Sequence, residues 1–83
     1  MKILQTIQDD DTLFVFTDNP EEDIKYFLSR YNDEDCEIQM WYEIPALYTY
    51  WFLWKKYRCI NMWFDGEISF LEETRNFLNK LIK

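Results

Sequence analysis

Apolar positions in this chain recur at two spacings, every second residue and every third to fourth, and the switches between them mark out the elements. "KILQTI" and "TLFVFT" flank "QDDD", whose carboxylates suit a polar turn, so residues 2–7 and 12–17 are predicted to pair as a hairpin. "LFVF" is an unbroken apolar run too short for a helix, as expected of a strand buried on both faces. "TDNPEEDIKYFLSRYND" then changes the period: Ile24, Phe27, Leu28 and Tyr31 follow i, i+3, i+4, i+7 and form one buried stripe. Asp18 or Asn19 can cap this helix, Pro20 suits its first position, and Glu21, Glu22 and Asp23 complement the dipole there. Lys25 and Arg30 fall on its wet side.

"CEIQMWYEI" returns to alternation. Cys36, Ile38, Met40, Tyr42 and Ile44 lie on one side, and Glu37, Gln39, Trp41 and Glu43 on the other, which predicts a half-buried strand with Trp41 outward. "PALYTYWFLWKK" is apolar on every face and reads either as a helix opening at Pro45 or as a strand. Its aromatic enrichment favours a strand, so residues 47–54 and 57–64 are predicted to pair, turning near Lys55 and Lys56. In the second of these, Ile60, Met62 and Phe64 point inward and Cys59, Asn61 and Trp63 outward.

"DGEISFLEETRNFLNKLIK" closes the chain with a helix whose Ser69 and Glu72 have capping-box spacing and whose Lys80 and Lys83 suit its end. Phe70, Leu71, Thr74, Phe77, Leu78, Leu81 and Ile82 form its stripe. Asp65-Gly66 is also a hairpin-turn signal, which allows a short strand at 67–68. The expected order is β-β-α-β-β-β-α: one compact α+β domain over residues 1–83, with an antiparallel sheet of three to five strands and two helices on one face. The part running helix, three strands, helix resembles a double-stranded-RNA-binding domain in outline. That family opens its closing helix with a basic cluster against phosphates, whereas "SFLEE" stands here, so the resemblance implies a topology and no RNA-binding role.

Charge narrows the class of partner. The chain has sixteen acidic and nine basic residues, net −7, which disfavours phosphate backbones, whose binding rests on Lys and Arg. Residues 1–43 carry twelve acids against three bases, and residues 44–83 four acids against six bases. The N-terminus "MKILQTIQDDD" lacks the long apolar run and small-residue cleavage site of a secretory signal, so a cytoplasmic location is expected, with Cys36 and Cys59 as free, buried thiols.

Chemistry is thin. Without histidine there is no Ser-His or Cys-His pair and no usual zinc set, and one glycine cannot make a phosphate loop. "DDD" at 9–11 and "DEDCE" at 33–37 have the clustered oxygens that Mg²⁺ or Ca²⁺ prefers, but the calcium-loop pattern fails at Ile38, where glycine is needed, so both read as solvated turns. "IPALYTYWFLW" is eleven residues, against about twenty needed to span a bilayer. No enzyme activity, cofactor, metal or membrane association is therefore expected. The cations of "WKKYR" stand amid sixteen acids, a poor funnel for single-stranded nucleic acid, so no direct nucleic-acid binding is expected either.

What the sequence does supply is a surplus of rings, since aromatics make up 20 % of it. With both helices on one face, Trp41 and Trp63 fall on the other, joined by Tyr48, Tyr50, Phe52 and Trp54 or by Trp51 with Leu47 and Leu53. Four such rings approach or exceed the roughly 300–600 Å² of the largest apolar patch on a typical monomer. The expected partner-binding residues are Trp41, Trp63, Tyr48 and Tyr50, with Glu37, Glu43, Asp33, Glu34 and Asp35 as an acidic surround. The expected function is that of a small acidic binding module, an inhibitor or nucleic-acid mimic occupying a basic site on another protein. The alternative is a homo-oligomeric assembly subunit, at simplest a homodimer, that pairs through an exposed aromatic sheet face.

Overall fold

A computed structural model describes residues 1–31, 36–41 and 59–82, Trp41 by its backbone alone. Within them run β1 (Ile3–Asp9), β2 (Thr12–Thr17), α1 (Pro20–Tyr31), β3 (Glu37–Trp41), β4 (Cys59–Trp63) and α2 (Ile68–Asn79). The four strands form one antiparallel sheet in the order β1-β2-β4-β3, so β4 inserts between β2 and β3. The α+β class and the two helices agree with the sequence reading; the order has one strand fewer, and the segment predicted as that strand, 47–54, lies outside the described residues.

Alternation explains which side the helices take. Leu13 and Val15 of β2, Ile38 of β3, and Ile60 and Met62 of β4 join Phe27 and Tyr31 of α1 and Leu71 and Leu78 of α2 in one core cluster, with Ile3, Cys36 and Phe64. Both helices therefore cover the same face. Aromatic contacts link them: the Phe27 ring stacks on Tyr31 at 6.1 Å between centroids, Tyr31 reaches Phe70 at 6.2 Å, and Phe70 meets Phe64 edge-on at 5.2 Å. On the other face Phe14 and Phe16 are also buried, so "LFVF" is covered on both sides as its composition implied.

Turn chemistry holds the ends. Asp10, with φ 55°, turns β1 into β2 within the predicted acidic turn. Asn19 caps α1 through its carbonyl, which accepts the Asp23 N–H at 2.9 Å, and Pro20 opens the helix as expected. Asp65 (φ 45°) and Gly66 (φ 82°) make a tight turn closed by the Glu67 N–H on the Phe64 carbonyl at 2.8 Å. This turn leads straight into α2, so the short strand at 67–68 does not form and Ile68 is already helical. Glu67, without a side-chain cap bond, precedes the helix, and Ser69 sits inside its first turn; the Ser69–Glu72 capping box is thereby displaced.

The two helix stripes are narrower than predicted. Leu28 and Phe77 stay about two-fifths exposed because they lie at the margins of stripes centred on Phe27 and Tyr31 in α1 and on Leu71, Thr74 and Leu78 in α2. Leu81, equally exposed, falls beyond Asn79, where α2 ends short of the predicted Leu81 and Ile82. No helix among the described residues is long and apolar enough to cross a membrane.

Candidate binding face

Strand pairing lays out the sheet face opposite the helices in rows. Asp9 pairs with Thr12, Thr12 with Trp63, and Trp63 with Glu37, so these four residues run straight across the sheet. With strands about 4.8 Å apart, the two outer carboxylate-bearing backbones stand about 14 Å from each other. The next row on the same face is Ile7, Phe14, Asn61 and Gln39. Among the described residues, both rows except Ile7 line a shallow concavity of about 330 Å³.

Trp63 is the exposed ring of this face, with 41 % of its surface accessible. Its orientation is fixed from the hairpin turn: the indole Nε1–H donates to Asp11 Oδ2 at 3.0 Å, and the Gly66 N–H donates to the same oxygen at 3.1 Å. The Phe64 N–H adds a 2.9 Å bond to the Asp11 carbonyl. Asp11 thus ties the β1–β2 tip to the end of β4 and to the turn before α2. On the other flank of the ring, Gln39 Nε2 donates to Glu37 Oε1 at 3.2 Å, as residues two apart on one strand face can.

The end of the sheet that carries Trp63 is acidic. Asp9, Asp10, Asp11, Glu37, Asp65 and Glu67 belong to the strand ends and turns around the ring, and all but Asp11 are exposed. Arg75 donates to Gln8 on the helix side of β1, away from this face. Among the described residues no group of three acidic or thiol side chains is placed to hold a metal ion.

Trp63 and Glu37 are therefore brought together as direct cross-strand neighbours. Trp41 occupies the same-face register position two residues beyond Gln39, with its backbone paired to Cys59. Tyr48, Tyr50, Glu43, Asp33, Glu34 and Asp35 lie outside the described residues. Cys59 and Asn61, predicted to point outward, do lie on this face but are buried, at 0 % and 7 % exposure. Burial pushes the Cys59 thiol up to about 12, so it stays protonated at neutral pH. Cys36 packs in the helix-side core while Cys59 sits on the opposite face, five residues further along the paired strands, so the two thiols do not approach.

Sequence reasoning missed Asp9, Asp11 and Thr12 as parts of this face; it turned Gln39 and Asn61 outward but did not count them among the binding residues. The alternation of Gln5, Ile7 and Asp9 was the available signal for extending β1 to Asp9. Nothing local signals the bond from Asp11 to Trp63. Compared with family models, curated proteins and solved structures, the chain matches none.

Proposed function

We propose that this chain is a small acidic, non-catalytic protein-binding module that occupies a basic site on a partner protein, in the manner of an inhibitor or nucleic-acid mimic. The observation that carries the reading is the placement of Trp63: a large ring, 41 % exposed and fixed by Asp11, in a row that ends in a carboxylate on either side. Tryptophan contributes heavily to binding where a partner desolvates it. Surrounding carboxylates speed encounter with a positive surface and repel other acidic proteins. Held in advance by Asp11, the indole loses little freedom on binding. Phe14 and Phe16 are buried, so among the described residues of the two rows Trp63 alone offers exposed aromatic surface.

The test is capture of partners from the native host by the immobilised chain at low and high ionic strength, with Glu37→Lys and Trp63→Ala as controls. A basic protein that is retained at low salt, eluted by salt and lost on Glu37→Lys supports the reading. Retention indifferent to both salt and Glu37→Lys overturns it.

A further inference from the structure

We infer that the concavity beside Trp63 receives a single arginine side chain of the partner, its guanidinium lying on the indole between Glu37 and Asn61. The inference rests on the binding-module reading above and names the group that the face is shaped to hold. Three features of the site converge on a guanidinium.

The first is the ring. Trp63 has its N–H committed to Asp11, which leaves the flat of an exposed indole as its contact surface, and a cation over an indole face is attracted by the ring quadrupole. The second is Glu37, directly across the strand pair from that ring. Its Oε1 accepts one bond from Gln39, and a carboxylate has about four lone-pair sites, so it retains capacity for a charge-assisted pair. The third is independent of the acids. Asn61 is 7 % exposed yet lines the concavity, and among the described residues no hydrogen bond commits its carboxamide. An amide oxygen that faces a hollow without a protein partner can accept a donor placed there.

Arginine meets all three demands at once. Its planar fork of five donors reaches a carboxylate and an amide oxygen while its plane stacks on the ring. Lysine offers a strongly hydrated point charge with no plane to stack. Phe14, next to Asn61 in the row and 3 % exposed, closes the floor of the concavity with apolar surface.

The test uses the full chain labelled with nitrogen-15 and three probes: acetyl-Gly-Arg-Gly-amide and its lysine and citrulline counterparts. The Trp63 indole N–H, assigned by its loss in Trp63→Phe, and the Asn61 side-chain amide are the reporters. Saturable movement of both with the arginine probe is expected, with affinity at least about fivefold weaker for lysine and no response to citrulline, which keeps the shape without the charge. Glu37→Gln, an exposed position whose backbone spectrum reports that the fold is intact, is expected to weaken the arginine probe at least about fivefold. Equal response to arginine and lysine, still reporters, or indifference to Glu37→Gln each overturns the inference. Polylysine separates the two levels: if it binds in a salt-dependent way while the arginine probe leaves Trp63 unmoved, the arginine receptor falls and the acidic binding surface stands. If the arginine probe seats but capture yields no basic partner, the receptor stands and the wider reading falls.

Discussion

The indole of Trp63 donates a 3.0 Å hydrogen bond to the Asp11 carboxylate across 52 positions of sequence, and the same oxygen holds the Gly66 N–H at 3.1 Å. One acidic side chain in a hairpin turn therefore orients the exposed ring and secures the left-handed turn that launches α2. The fold and the candidate site share this joint.

Asp11→Ala removes both bonds and is expected to cost about 1–2 kcal/mol in urea denaturation, because bonds to a charged acceptor are worth more than neutral ones while this one is partly solvated. Asp11→Asn keeps an acceptor oxygen and is expected to lose less than half of that. Hydrogen exchange of the Trp63 indole should quicken in the alanine variant. An unchanged exchange rate would show that Asp11 does not hold the ring in solution.

Gly66→Ala isolates the backbone of the same turn. Gly66 has φ 82°, and an added Cβ would meet nothing within 4 Å, so any cost comes from the left-handed conformation alone. About 1–2 kcal/mol is expected by thermal or chemical unfolding. Asp65→Asn, at φ 45°, should change stability by less than about 0.5 kcal/mol, since Asn tolerates that region. A neutral Gly66→Ala would mean the turn relaxes to another geometry.

Particular residues show how far the sequence was legible. The burial of "LFVF" on two sides, the inward set Ile60, Met62 and Phe64, and Pro20 at the start of α1 all follow from local period and turn rules, and the structure has them. The place of β4 between β2 and β3 does not, because strand order depends on contacts between distant segments that leave no periodic trace. The same gap hid Asp11, which acquires its setting only when β2 and β4 pair. Ser69 and Glu72 failed for a related reason: the Asp65-Gly66 turn, stapled by Asp11, starts the helix earlier than their capping pattern would. For Tyr48 and Tyr50 the face they were assigned to is known only through its described neighbours.

Adjacent residues of α1 give a sharp contrast. Phe27 is fully buried and touches the Tyr26 and Tyr31 rings, while Leu28 beside it is 40 % exposed. Phe27→Ala is expected to cost about 3–5 kcal/mol, and in a chain this small to leave little folded protein. Leu28→Ala should cost under about 1 kcal/mol. Denaturation midpoints of the two variants check the assignment of the core face, and comparable losses would contradict it.

A buried hydroxyl supplies a prediction of opposite sign. Thr17 is 0 % exposed and its Oγ1 has no hydrogen-bond partner among the described residues. Thr17→Val puts a methyl where that oxygen sits and removes a desolvated polar atom, so stability should rise by about 1 kcal/mol. A loss of that size in the valine variant would reveal a partner for the hydroxyl in solution.

Cys59 links the second sheet face to pH. Its thiol, pushed up to about 12 by burial, ionises later in the folded chain than in the unfolded one, where a free thiol titrates near 8.5. Below the unfolded value both states hold the proton and the group makes no difference to stability. Above it the unfolded chain releases its proton while the native chain keeps it, so unfolding is favoured and stability falls as pH rises from about 9 toward 12. The slope approaches about 1.4 kcal/mol per pH unit in that window, and it should be absent below about pH 8. Cys59→Ala leaves a small cavity that lowers stability at every pH but flattens this alkaline slope relative to the parent chain. The native thiol should also resist iodoacetamide at pH 8 until denaturant is added, since the thiolate is the reactive form. Rapid alkylation of Cys59 in the folded chain, identified by peptide mapping, would show that water reaches it and that the sheet face opposite the helices is open there.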